Sequence, residues 1–539
     1  MLFLGIIFVL LPMIFQISRQ MKLTKYMTWG GCRWFCFCIL LLVFCACGTS
    51  GRKQGAIKGT DDLKGAVIGV QLGTTNDVLA SQLESKGNGT RVERFNKSAD
   101  AIQALKQGKI DCMVEDEQPA KAFLRLNPDL RILPDEFGSS SLAICVAKEN
   151  VDLLRDINAA IRLLKQEGVV DSIVRRHIDR GIVVAYDTNR DLPKHHNLSR
   201  IHQQSSVKEK IRFATNAAFE PFEYYDEGRI VGIDMDVAKA ICDVLGMELE
   251  VIDMEFDAVI TSVQTGKADA GIAGITVTPE RKKNIGFTDT YTDVKQVIIV
   301  GGESTAAPRQ TLADKFKACF VTGNRYQYLL TGLGNTLVIT FFAILLSLAL
   351  GTLIAIVRAT HDRNGTHRLL NLICQIYLTV VRGTPTMVQL LIIYYVVFAS
   401  ANVDKIFVAI VAFGLNSAAY ISEVIRSGIM SVEKGQMEAG RSLGLSYSQT
   451  MRLVILPQAF KNVLPALGNE LITLLKETSI SGYIGLVDLT KGSDIIRSVT
   501  YDAMIPLGVV AAVYLCIVLA LAAGVSRLEK WLRKSEKQS

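Results

Sequence analysis

No Gly-x-x-x-x-Gly-Lys-Ser/Thr loop occurs anywhere in the 539 residues, so the sequence offers no phosphate cradle of that kind. Cysteine gives little to build with. Five of the eleven lie in the first 47 residues and the other six are scattered, which excludes both a disulfide framework and a thiolate metal site. A large excess of one charge is also missing, with 59 Lys and Arg against 52 Asp and Glu. The basic residues follow apolar runs rather than gathering in one patch, and that removes support for nucleic-acid binding. A Thr-Val-Gly-Tyr-Gly ion filter is absent as well.

What is present divides along the chain. A chain of 539 residues exceeds one compact core, so two or three units are expected. Residues 51–310 are mixed and charged, as in a soluble α/β protein. Beyond residue 326, apolar runs recur at the length needed to cross a hydrocarbon layer of about 30 Å. Five crossings are expected: Leu337–Val357, Met387–Ala401, Ile406–Ile425, Val463–Leu475 and Met504–Val525. The fourth is short and carries polar residues. Basic clusters follow the first span (Arg358, Arg363, Arg368), occupy 441–452 (Arg441, Arg452) and follow the last span (Arg527, Lys530, Arg533, Lys534, Lys537). Placing all three in the cytoplasm requires an odd number of crossings and puts residues 51–320 outside. Residues 1–50 read as a leader. Lys22, Lys25 and Arg33 precede an apolar run that ends at Cys47, either a lipoprotein-type signal or a plain signal or anchor.

The outer part alternates strand-like and helix-like segments, the pattern of an open α/β sheet. Ala66–Val70, Asp111–Val114, Ile211–Thr215, Leu249–Asp253 and Ala268–Ala273 read as strands, and Asp234–Leu245 as a helix. Ser98 is placed to cap one helix, and Thr278 with Pro279 to open another.

Between two apolar segments lies Glu438-Ala439-Gly440, then Gly444, then Val454-Ile455-Leu456-Pro457. This spacing resembles the coupling loop of bacterial ABC importer permeases, with Gly440 where Ala is usual and Val454 where Ile is usual. Arg382-Gly383-Thr384-Pro385 and Leu475-Lys476-Glu477-Thr478-Ser479 resemble two further stretches of polar amino-acid permeases. The resemblance implies an all-α, five-helix transmembrane permease domain over 326–530. Glu438, Ala439, Gly440, Gly444, Leu456 and Pro457 would present a short helix to a separate cytoplasmic ABC ATPase. It further implies a twofold pair of chains in the lipid bilayer and no cofactor.

Gln71-Leu72-Gly73-Thr74-Thr75 and Val114-Glu115-Asp116-Glu117 resemble the second lobe of amino-acid-binding proteins that serve such importers. Phe219-Glu220-Pro221-Phe222-Glu223 and Ala273 through Arg281 resemble the first lobe. The expected fold is therefore a two-lobed, type II periplasmic-binding-protein-like module with its lobes in inverted order. Residues 51–186 form the second lobe and its C-terminal helices, 187–209 a linker, 210–303 the first lobe and 304–325 a linker; 531–539 form a basic tail. Circular permutation and deletion from a tandem pair both produce this order. One lobe crossing, near Ser141–Ala147, is expected to stay covalent and the other to be cut between Val300 and Leu63.

The resemblance assigns the ligand contacts. Arg281 would clamp an amino acid's carboxylate through its planar fork, with Thr75 adding donors at a helix N-terminus. Asp116 would accept from the ammonium group, since a buried charge needs a partner. Gly274 and Thr276 would line one wall, with Phe219, Phe222 and Phe256 around the side chain and Gln71 nearby. The glutamates around these positions read as mostly solvated surface. Ala273–Lys283 is close to glutamine-binding members, which puts glutamine first, although Gln71 and Glu115 depart from them; Glu115, Glu117, Glu220 and Glu223 could supply negative charge, which keeps a basic amino acid open. A ligand-gated channel or chemosensor with the same lobes is the rival reading, and it leaves the coupling loop unexplained.

Overall fold

In the computed structural model, residues 57–179, 210–302, 311–399 and 403–534 are described. The expected leader, the Asp187–Glu209 and Ser304–Thr311 linkers and Cys47 lie outside these residues in whole or nearly so. The first half of the outer module supplies β1 (Val67–Gln71), β2 (Arg91–Phe95), β3 (Cys112–Asp116) and β4 (Leu130–Val146). The second half supplies β5 (Lys210–Thr215), β6 (Ala218–Phe219), β7 (Glu223–Asp226), β8 (Arg229–Val231), β9 (Glu248–Asp253), β10 (Ala270–Gly271) and β11 (Gly286–Gly301). Helices α1 (Thr75–Ser85), α2 (Ser98–Lys106) and α3 (Glu117–Leu126) belong to the first half, as do α4 (Val151–Gln166) and α5 (Val169–Asp179). Helices α6 (Ile233–Leu245), α7 (Phe256–Gln264) and the single turn α8 (Pro279–Lys282) belong to the second.

Eight strands form one sheet in the order β2-β1-β3-β11-β4-β10-β5-β9, and β6-β7-β8 form a small separate one. Strands β1, β2 and β3 run parallel, as do β5, β9 and β10. The central β1 and β3 are buried along their whole length, whereas β2 and β9 at the two edges of the sheet carry charged, exposed residues. The long β4 and β11 pair antiparallel along most of their length and join the two lobes. Here the structure corrects the hinge expectation. Strand β11 leaves the lobe of β5, crosses beside β4, and buries Ile298 and Ile299 against β3. Both crossings are therefore covalent, because the chain passes between the lobes before it reaches Val300.

Apolar cores sit on both sides of the sheet. Helices α4 and α5 precede the β5 lobe in sequence yet bury Ile157, Ile161, Leu164 and Ile173 against its Phe213, Val237 and Ile241. The β1 lobe packs Ile102, Leu105 and Phe123 on one side and Ile68, Val70 and Val114 on the other.

The second part is helical: α9 (Tyr326–Asn364), α10 (Arg368–Gly383), α11 (Thr386–Ile392), α12 (Lys405–Met430), α13 (Lys434–Ser442), α14 (Leu456–Glu477), α15 (Leu489–Thr500) and α16 (Met504–Lys534). Among the described residues, three helices are long and apolar enough to cross a membrane: Tyr326–Asp362, Lys405–Met430 and Met504–Lys530. A fourth arises if Arg368–Gly383 and Thr386–Val397 form one span, bent by 109° at Pro385. By length and composition alone the described residues thus supply three spans, or four with the bent pair. Helix α14 has 22 residues, but Lys461, Glu470 and Lys476 dilute its apolar character.

Candidate functional site

The two lobes close on a narrow cleft between them, whose empty space, the solvent at its mouth included, is about 390 Å³. Eight of the nine residues expected to hold a ligand line it: Gln71, Thr75, Asp116, Phe219, Phe256, Gly274, Thr276 and Arg281. The ninth does not. Phe222 is buried in the β5-lobe core and stacks behind Phe219, with ring centroids 5.6 Å apart. Its position three residues along a bent segment turns it inward, so it supports the contact residue rather than being one.

Local chemistry fixes several of these positions. The Thr278 side chain accepts from the Arg281 amide at 3.2 Å and Pro279 opens the turn, so Arg281 projects from the start of α8. Its guanidinium donates to the Thr276 carbonyl at 2.8 Å and to the Gly73 carbonyl of the opposite lobe at 2.8 Å. It also lies 5.7 Å from the centroid of the Phe256 ring. Two of its five N–H donors are thus engaged and the rest remain for an anion. Gly274 has φ +55°, and a Cβ there would lie 3.1 Å from the Phe219 ring, so glycine is required twice over. Across the cavity, Thr74 caps α1 and sets Thr75 and Asn76 in its first turn.

Acidic groups dominate the remainder. Glu115, Asp116 and Glu223 all line the cavity and all are buried. Asp116 accepts from the Asn76 amide at 3.5 Å, while Glu115 accepts from the Ser98 hydroxyl and from the Asp116 amide. Burial, reinforced by the neighbouring Asp116, lifts Glu115 well above the usual carboxylate range, and burial lifts Asp116 as well. Glu223 is raised strongly by burial and by Asp234. Asp234 is itself held by the Tyr291 hydroxyl at 2.7 Å and the Gly274 amide at 2.8 Å.

The expectation that the glutamates are mostly solvated therefore fails for Glu115 and Glu223. Their partners lie on other elements, which no local pattern reveals. Glu223, one of the glutamates that could supply negative charge, lines the cavity, and so do Asn76, Asn216 and Thr74, to which the sequence assigns no role. Asn76 had a signal, being adjacent to Thr75 at a helix start; Asn216 and Thr74 had none. Ser98 begins α2 rather than capping it, and its hydroxyl donates to Gln71 and Glu115 instead.

The closed lobes rest on the helical part. Tyr501, just past α15, packs edge-on against Phe123 of the β1 lobe at 4.9 Å, and its carbonyl accepts from Gln103. Lys97 of that lobe pairs with Asp494 at 2.8 Å, and Asp100 pairs with Arg497. From the other lobe, Glu255 and Asp253 meet Lys491 at 3.1 Å and 3.5 Å. One helix thus touches both lobes.

At the opposite end, α13 carries Glu438, Ala439 and Gly440. Glu438 is the fifth residue of this helix rather than its start, so the helix end is not what selects it. Gly440 is buried, and a Cβ there would lie 2.4 Å from Thr450 Cγ2, which explains its departure from Ala. Gly444 has φ +85° and turns the chain, and Leu456 and Pro457 open α14.

Comparison with known proteins agrees with both parts. A family model for bacterial extracellular solute-binding proteins, family 3, matches residues 211–494, more than half of the chain. The arginine transport system permease protein ArtQ of Bacillus subtilis (strain 168) is 37% identical over 211 residues, 39% of this chain and 94% of that protein. The L-cystine transport system permease protein TcyB of the same organism is 38% identical over 197 residues, 35% of this chain and 83% of that protein. A solved amino acid ABC transporter with histidines is 40% identical, covering 39% of this chain and 97% of that one, with a TM-score of 0.36. This chain therefore belongs both to the bacterial extracellular solute-binding proteins of family 3 and to the amino-acid ABC transporter permeases.

Proposed function

We propose that the chain is the receptor and the membrane subunit, in one polypeptide, of an ATP-driven importer for a polar amino acid. The observation that carries this reading is the closed cleft of Arg281, Asp116 and Thr75 resting on membrane helices through α15. Arg281 takes the ligand's carboxylate together with Thr75, Asp116 takes its ammonium group, and Phe219 and Phe256 flank its side chain. The second lobe precedes the first as a circular permutation, which the nearness of domain termini at the surface makes tolerable.

In this scheme the lobes lie outside the cell, five segments cross the membrane, and α13 with Gly444, Leu456 and Pro457 faces the cytoplasm. There a separate ATPase grips the Glu438–Gly440 stretch, and its closure tilts α12 and α14. Two chains form the pathway about a twofold axis. Glutamine was placed first by Ala273–Lys283. That stretch meets the groups every amino acid shares, so it does not select among side chains. The test is calorimetric titration of the full chain in lipid nanodiscs with each of the twenty amino acids. One or a few polar ones should bind, and Arg281→Ala should abolish the heat. Silence toward all twenty would reject the receptor half of the reading.

A further inference from the structure

The charge and hydrogen-bond inventory of the cleft selects more narrowly than "polar". Arg281 is the one cation among the lining residues, set against Glu115, Asp116 and Glu223. An amino acid's carboxylate neutralises Arg281 and its ammonium group occupies one carboxyl. Acidic capacity is then left over beside the space for the side chain. The unmet hydrogen-bonding atoms point the same way. Asn76 Oδ1, Thr75 Oγ1 and Glu223 Oε2 line this cavity, are buried, and have no partner among the described residues. Asn76 Oδ1 and Glu223 Oε2 can accept beside the side chain, while the Thr75 hydroxyl donates to the carboxylate. A guanidinium or ammonium end is all donors, whereas a glutamine amide brings an acceptor that has few donors to meet. Glu115 is held for this role, fixed by Ser98 Oγ and by the Asp116 amide while still facing the cavity.

Resting on the amino-acid receptor reading above, we infer that the cleft takes an amino acid whose side chain ends in a cation. Glu115 is the residue that selects it, and capture expels a proton from the Glu115–Asp116 pair. The step balances simply: a protonated carboxyl plus a cationic ligand gives an ion pair, and the proton leaves to water. The titratable and charged groups facing Glu115 are Asp116 on its own strand, Arg281, Glu223, Asp234 and Tyr291 from the other lobe, and Tyr501 from the helical part. Without a cation beside them, burial keeps Glu115 and Asp116 above the ordinary carboxylate range, so the pair retains a proton near neutral pH. A cation arriving at that pair lowers its proton affinity. Affinity for such a ligand should accordingly rise with pH through neutrality and level off once the pair ionises unaided. Affinity for a neutral side chain should rise less steeply, because only its ammonium group reaches the pair.

The experiment is calorimetry on the full chain in nanodiscs at pH 7, with arginine, lysine and glutamine, in two buffers of different ionisation heat. Arginine or lysine should bind at least 100-fold more tightly than glutamine, with heats that differ between buffers by an amount approaching one proton per ligand. Glu115→Gln should weaken the cationic ligand at least tenfold and reduce the proton count. The two-buffer comparison on the unaltered chain needs no variant to fold. Glutamine binding as tightly as arginine, or buffer-independent arginine heats, would overturn this inference and leave the importer reading standing. Absence of heat with all three, and with the other amino acids, would overturn both.

Discussion

Arg281 does two jobs with one planar group. It ties the lobes together through the Gly73 carbonyl and keeps donors free for an anion. Lysine has no fork and cannot serve both partners. Arg281→Lys keeps the charge but loses the fork, and should therefore weaken ligand binding by about 1.5–3 kcal/mol, the contribution of a hydrogen bond to a charged group. Titration of the variant measures it, and an unchanged affinity would remove Arg281 from the site. The Thr-Pro-Glu-Arg sequence made this residue legible, because cap, proline and arginine all act within one turn. Glu223 was legible as a nearby negative charge but not as a buried one. It sits between two aromatic residues on a short strand, and its burial depends on Asp234 and Tyr291, which adjoin it only after folding. Phe222 misled for the same reason, since an aromatic next to a cleft motif does not declare which way it faces.

Among the elements, α15 and α13 carry the coupling in the proposed scheme. Helix α15 reads both lobes through charge, with Lys491 buried between Asp253 and Glu255. Breaking a buried pair costs roughly 3–5 kcal/mol because the remaining charges stay uncompensated. Lys491→Glu should therefore release the β5 lobe from the helical part. The expected outcome is a several-fold loss of ligand-stimulated ATPase activity in the reconstituted complex, with ligand affinity little altered. Equal stimulation would argue against docking through this helix.

In α13, Gly440→Ala forces a Cβ against Thr450 and should cost about 1–3 kcal/mol in overpacking. Thr450→Ser removes the offending methyl and should restore thermal stability to the double variant. A single variant as stable as the original would contradict this packing argument. The sequence displayed the coupling motif but hid α15, whose partners Lys97 and Asp100 lie 397 residues away from Asp494 and Arg497. It displayed Met387–Ala401 as an apolar span but neither Arg368–Gly383 before it nor the bend between the two. Gly383-Thr384-Pro385 marked the place, yet the angle depends on how α10 and α11 pack.

As a whole molecule, the chain joins a clamshell to its own gate, and alternation of apolar and charged stretches made that division plain. What could not be read was the hinge. Two long strands paired across the lobes keep both crossings covalent. Tethering replaces diffusional encounter by an effective concentration on the order of mM for a short flexible linker. Cutting an engineered protease site between Gly302 and Leu312 should lower uptake at low substrate while leaving ligand affinity unchanged. Equal uptake by the severed chain would show that α15 docking suffices without the tether. The most direct test of the central claim is ATP-driven amino-acid uptake into proteoliposomes holding this chain and a partner ATPase. Uptake should require both an intact Arg281 outside and an intact Glu438–Gly440 stretch inside. Uptake that survives Arg281→Ala at low substrate would contradict it, because the cleft would then be a bystander to transport.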